Sequence, residues 1–181
     1  MLHRMDTTDF WNLIDDARAR VGDPEDAEAV VERASALLAA RPRDEILAAQ
    51  QVLWDLMAAS YRAPLWAAAY TINGGCSDDG FDYFRGWLIA QGREVFERVV
   101  ADPDTLAELP PVREAAAAGI DLECEEMLGV AWDAHSVTTG QSMPEHSFTI
   151  DYPALDPEWD FSFDDAERVA LRLPKLDALY A

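Results

Sequence analysis

Asp23-Pro-Glu-Asp-Ala-Glu-Ala-Val-Val-Glu-Arg-Ala-Ser-Ala-Leu-Leu-Ala-Ala-Arg-Pro42 carries the signal that decides the fold. Ala27, Val30, Val31, Ala34, Leu37 and Leu38 recur every three or four positions, which places them on one face of an α-helix. Asp23-Pro24 offers a capping carboxylate followed by a residue with no amide hydrogen to satisfy, and Pro42 closes the element. The stretch before it reads the same way. Thr7 or Thr8 is the expected cap of a helix that buries Phe10, Trp11, Ile14 and Val21 and stops at Gly22.

Downstream, Ile46, Gln50, Leu53, Met57 and Tyr61 fall at successive turns of a helix opened by Asp44, which Pro64 breaks or kinks. Residues 65–72 form a shorter helix ending at Asn73-Gly74-Gly75. Ser77 and Asp78 cap the next one, whose inner face carries Phe81, Phe84, Leu88 and Ile89. A short piece with Val95, Phe96, Val99 and Val100 follows. Asp102-Pro103 opens another helix that Pro110-Pro111 ends, 122–138 is a late helix, and 164–173 is the last, stopped by Pro174. Only Ser147–Tyr152 alternates as a strand would. The expectation is one all-α domain over residues 1–181, with about eight helices in an orthogonal or bundle-like packing. An irregular acidic loop is expected near residues 140–160.

Charge narrows the function. The formal net charge is −21, from 35 acidic and 14 basic residues. Phosphate contacts need clustered Lys or Arg, so direct nucleic-acid binding through phosphates is excluded. Solubility, adaptation to salt or coding bias would each produce such a surplus, and Lys175 is the only lysine. A surface that docks a basic protein partner, or one that imitates nucleic acid, would produce it too. No apolar run is long enough for a membrane span. The first residues hold no apolar signal core, and Met5 is an alternative start to Met1. Cys76 and Cys124 are the only cysteines, with no Cys-x-x-Cys pair, so a reducing cytoplasm is the expected compartment.

The segment Asn73–Gly92 is the densest in chemistry. Ser77, Asp78 and Asp79 suit a helix start, where side-chain oxygens accept from free amides and carboxylates oppose the positive helix end. Asp78, Asp79 and Asp82 are also candidate ligands for a hard divalent cation, the one cofactor with any support, although their spacing is not that of a calcium loop. Cys76 stands beside the same helix start and is a candidate nucleophile if the fold brings His135 to it as base. A packed thiol is the alternative. Glu125, Glu126 and His135 lack metal-site spacing. Arg85, in an apolar helix, is expected either to seal an ion pair with Asp82 or, with Ser77, to hold a ligand carboxylate or phosphate. The rings at 54, 61, 66, 70 and 87 read as core. Glu145–Glu167 holds eight acids and no Lys or Arg, interleaved with Phe148, Tyr152, Trp159, Phe161 and Phe163. Such a segment docks partners or staples itself onto the helices.

Several of these stretches together resemble a bacterial domain-of-unknown-function family, numbered 4240. They are Asp9-Phe-Trp-Asn-Leu-Ile14, Leu65-Trp-Ala-Ala-Ala-Tyr70, Gly74-Gly-Cys-Ser-Asp-Asp-Gly-Phe-Asp-Tyr-Phe-Arg-Gly-Trp-Leu-Ile89, Gln91-Gly-Arg, Asp102-Pro103 and Cys124-Glu-Glu-Met-Leu128. The resemblance covers roughly residues 6–140, and Leu171-Arg-Leu-Pro-Lys-Leu176 is similar to the family's ending. Asp177 stands where an aromatic residue is expected, and the stretch before Trp159 departs from the pattern. The resemblance implies a small bacterial protein, of a kind frequent in actinobacteria, and supplies no activity or catalytic residue.

From the residues, the leading expectation is a non-catalytic binding or regulatory protein whose acidic C-terminal half meets a basic protein partner, with residues 141–181 forming the acidic loop and terminal helix beyond the family-like core at 6–140. The alternatives are an enzyme or a small-ligand or metal site at Cys76–Arg85, and a nucleic-acid mimic.

Overall fold

The computed structural model describes residues 4–181, and every regular element among them is helical. Met1 and His3 lie outside the described residues. The elements are α1 (Thr7–Arg20), α2 (Ala27–Ala39), α3 (Arg43–Ala59), α4 (Ala63–Asn73), α5 (Asp78–Ala90), α6 (Arg93–Ala101), α7 (Pro110–Ala118), α8 (Val130–Thr139), α9 (Ala166–Arg172) and α10 (Pro174–Tyr180). Short 3-10 turns occupy Pro103–Glu108, Glu125–Gly129 and Pro157–Trp159.

The expected eight or so helices become ten among the described residues because Pro110 and Pro174, expected to end helices, open new ones. Pro110 and Pro174 stand in the first turn of α7 and α10, where a missing amide hydrogen costs nothing. The 122–138 helix is split. The Cys124 amide donates to the Tyr83 carbonyl, so the chain stays extended until the Glu125–Gly129 turn. Two caps also move. Asp6, not Thr7 or Thr8, caps α1, because Asp9 completes a reciprocal capping box with it. Asp26, not Asp23, caps α2, leaving Asp23-Pro24 in the preceding turn.

Two of the proline-opened helices lack a cap of their own and borrow a carboxylate from far along the chain. Asp104 accepts from the amides of Lys175 and Leu176 at 3.1 and 2.9 Å, which fixes α10. Asp156 accepts from the Ala63 amide at 3.1 Å, at the start of α4. Each carboxylate also meets the positive end of a helix.

Helix α2 lies between α1 and α8, α3 packs on α8, α5 rests on the Glu125–Gly129 turn, and α10 closes against the Pro103–Glu108 turn and α4. Buried apolar side chains from Met5 to Leu176 form one cluster. Phe10, Trp11, Phe81 and Phe84 are among its largest members. Each stabilises the fold by about 2–3 kcal/mol through loss of apolar surface.

Residues 140–165 hold no strand and only one turn of helix. At Ser147–Tyr152 the Thr149 amide donates to the Gln51 side chain at 2.8 Å and the Thr149 carbonyl accepts from it at 3.2 Å, so a glutamine takes the place a neighbouring strand would fill. This segment is a strap laid over α3 and α4. Among the described residues, no helix is long and apolar enough to cross a membrane.

Candidate functional site

The site begins at the turn between α4 and α5. Gly74 and Gly75 both adopt positive φ, at 65° and 128°, conformations that side chains resist. They let α4 stop and α5 start within four residues. Ser77 caps α5, its hydroxyl accepting from the Gly80 amide at 3.1 Å, and Asp78 and Asp79 fill the first turn. The Asn73 side chain bonds both the amide and the carbonyl of Leu122, at 2.9 and 3.2 Å, so the turn is clamped to the extended segment before Cys124.

Arg85, on the inner face of α5, is fully buried. Its Nη2 donates to Asp82 Oδ1 at 2.8 Å and to the Tyr152 hydroxyl at 2.9 Å. The hydroxyl in turn donates to Asp82 at 3.2 Å. Aromatic rings enclose the rest of the guanidinium. Its carbon lies 4.1 Å from the Phe81 ring centre, and Tyr61 and Tyr152 stand at 5.4 and 5.3 Å. Nε and Nη1 have no hydrogen-bond partner, so the negative ring faces carry the compensation there. Burial lowers the Arg85 pKa against the pull of Tyr152 and Asp82. Burial likewise pushes the Tyr152 phenol up to about 12, so it serves this network as a neutral donor.

Tyr152 belongs to the strap, and its docking repeats along the segment. Its ring stacks on Tyr61 at 4.5 Å, and Phe148 stacks on Trp54 at 6.2 Å with Trp132 against its edge. Asp156 accepts from Arg62 Nε at 3.0 Å while it caps α4. Further on, Phe163 meets the edge of Tyr70 at 6.0 Å, and the Tyr70 hydroxyl donates to Asp164. Trp159 and Phe161 stack on each other at 5.8 Å. Arg172 lies over both rings at 4.8 and 5.0 Å.

Between α4 and residues 155–163 this docking leaves a cleft of about 530 Å³. Trp66 and Tyr70 form part of one wall, and Trp159, Phe161 and Phe163 part of the other. Asp160, exposed and with no basic partner among the described residues, lines the cleft, and so does Asp156, already engaged by Arg62. Among the described residues, neither lysine nor arginine lines it. The Trp66 indole donates to the Cys76 carbonyl at 2.9 Å and the Tyr70 hydroxyl donates to Asp164, so these two of the three ring-borne donors in the lining are engaged, the third being the Trp159 indole.

The structure therefore separates the residues singled out in the sequence. Cys76 lines the cleft, Ser77 caps α5, and Arg85 sits with Asp82 behind the aromatic wall. His135 lies on α8, buried, its Nδ1 3.0 Å from the Gln141 carbonyl, and it is not part of the cleft. Asp78 and Asp79 belong to the helix start. Among the described residues, no group of three or more His, Cys, Asp or Glu is arranged to hold a metal ion. Sequence reasoning did not pair Tyr152, Asp156 and Gln51 with Arg85, Arg62 and Thr149. The one available signal was the run of rings among acids.

Burial pushes the Cys76 thiol up to about 11; Arg85 pulls the other way, and the Glu123 and Asp82 carboxylates add to the rise. Very little thiolate exists at neutral pH. Iodoacetamide is expected to label Cys76 slowly at about pH 8, with a rate that climbs until pH nears 11. Mass mapping separates it from Cys124, which is fully inside the core and pushed to about 12. Labelling of Cys76 at neutral pH as fast as free cysteine would contradict this environment.

A sequence model of a family described as a protein of unknown function, DUF4240, matches residues 5–136. No curated protein and no solved structure matches the chain. The matched region contains the residues that receive the strap, from Gln51 to Arg85, and ends before the strap begins.

Proposed function

The chain belongs to the DUF4240 family of proteins of unknown function, and on that footing we propose that it is a non-catalytic binding protein that docks a basic protein partner on its acidic strap. The observation that carries this reading is the state of the strap's carboxylates. Of the eight acids in Glu145–Glu167, Asp156 pairs with Arg62, Asp164 accepts from Tyr70, and Asp165 pairs with Arg168 while capping α9. Glu145, Asp151, Glu158, Asp160 and Glu167 are exposed, and among the described residues no ion pair holds their carboxylates, although Glu158 stands near Arg62. They are held on a docked segment rather than a loose tail, so a partner meets a preformed negative surface. The high pKa of Cys76 and the separate placement of His135 speak against nucleophilic chemistry as the alternative.

The test is a titration with a defined arginine-rich peptide. Affinity is expected to fall about tenfold or more between roughly 20 mM and 500 mM NaCl, because exposed charges are screened. Replacing Glu145, Asp151 and Glu167 by their amides should weaken binding several-fold. The same change at exposed Asp44, Glu94 and Glu114, away from the strap, should leave it intact. Equal losses from both sets, or affinity indifferent to salt, would overturn the proposal.

A further inference from the structure

We infer that the cleft between α4 and residues 155–163 is a pocket for an arginine side chain of the basic partner. This rests on the docking role proposed above and assigns its anchor. Three observations point the same way.

The first is the chemistry of the lining. Trp66, Tyr70, Trp159, Phe161 and Phe163 contribute aromatic rings, and Asp160 contributes an exposed carboxylate. The indole of Trp66 and the hydroxyl of Tyr70 are turned to internal acceptors, and among the described residues no Lys or Arg lines the cleft. Rings beside an exposed carboxylate favour a cation with an apolar stem.

The second is that this protein already seats guanidinium groups on rings of the same wall. Arg172 covers Trp159 and Phe161, and Arg168 lies 5.5 Å from the Phe161 ring centre. Arg172 is further held by donating to the Glu158 carbonyl at 2.7 Å. Arg85 does the same against Phe81 behind the cleft. A planar guanidinium stacks on a ring and still donates in its own plane, which a lysine ammonium does not.

The third is size. About 530 Å³ accommodates one extended side chain with its flanking backbone. Asp160 at the lining then accepts from the guanidinium, while the ring faces cover its stem and plane.

The experiment compares three versions of one peptide. A single central arginine flanked by serine and glycine, with lysines at both ends, is matched against versions carrying citrulline or lysine at that centre. Citrulline keeps the shape and removes the charge, and the change lies in the ligand, so it leaves the protein's fold untouched. Binding is followed by the indole N–H resonances of Trp66 and Trp159. The arginine peptide is expected to move both, and citrulline to weaken binding about tenfold. Lysine should fall between them. Trp159→Ala and Asp160→Asn should each reduce the preference for arginine over citrulline, with the Tyr61–Tyr152 ring contact confirming that the strap stays docked. Salt-sensitive binding that ignores citrulline, Trp159→Ala and Asp160→Asn would overturn the arginine pocket and leave the acidic docking surface standing. Failure of all three peptides to bind would overturn both.

Discussion

Gly86→Val is expected to destabilise the protein by about 3 kcal/mol or more, the upper range for forcing atoms into a packed core. A Cβ built on Gly86 falls 2.3 Å from the Cys124 carbonyl oxygen and 3.3 Å from Met127 Cβ. The nearest obstacle is backbone, so no rotamer change relieves it. In an exposed helix the same change would be nearly neutral or favourable, because glycine costs about 1 kcal/mol there. Here the clash outweighs that gain. Helix α5 must lift from the extended segment, and the bond from the Cys124 amide to the Tyr83 carbonyl at 2.9 Å lengthens or breaks. Denaturant or thermal unfolding reads the result, and Gly80→Ala is the control. A Cβ at Gly80 meets only the Ser77 and Cys76 side chains, at 3.3 and 3.6 Å. Unfolding of Gly86→Val within about 0.5 kcal/mol of the unaltered protein would show that the two backbones do not approach as described.

Asp82→Ala has the second largest expected effect. It leaves the fully buried Arg85 with the Tyr152 hydroxyl and ring faces as its only compensation. Removing one partner of a buried pair costs about 3–5 kcal/mol when both are sealed. Asp82 keeps 28% of its side-chain surface exposed. Water therefore reaches its place, and about 2–3 kcal/mol is the better expectation. In a chain of this length that lowers Tm by roughly 5–10 °C. Asp82→Asn, which retains an acceptor oxygen, should lose about half as much. The Arg85→Met background supplies the deciding comparison. With no cation to leave unpaired, Asp82→Ala should cost only about 1 kcal/mol there, for the Tyr152 hydrogen bond, whereas an unchanged cost would show that Asp82 acts through something other than Arg85.

Much of the fold was legible because buried side chains of α1, α2, α3 and α5 recur with helical period, at Phe10, Ile14 and Ala17 or at Phe81, Phe84 and Leu88. The helix starts were harder. A proline such as Pro110 or Pro174 ends one helix and begins another with equal ease, and local sequence does not say which. Caps that come from elsewhere are invisible at short range. Asp104 and Lys175 are bonded across 71 residues, and Asp156 and Ala63 across 93. Ser77 was readable as a cap because its partner is three residues away. The Arg85–Asp82 pair was readable for the same reason, but the third member, Tyr152, stands 67 residues beyond Arg85. The cleft shares that character: its walls come from residues 63–76 and 155–163, and only docking of the strap makes it.

The docking surface and the arginine pocket both depend on the strap lying on α3 and α4 in solution. A nuclear Overhauser measurement between the rings of Tyr152 and Tyr61 reads this directly. With ring centres 4.5 Å apart, a strong cross-peak is expected, accompanied by slowed hydrogen exchange at the Thr149 amide, which Gln51 holds. No cross-peak, together with amides over residues 147–156 exchanging at the rate of an unstructured peptide, would mean that no cleft exists for a partner to enter.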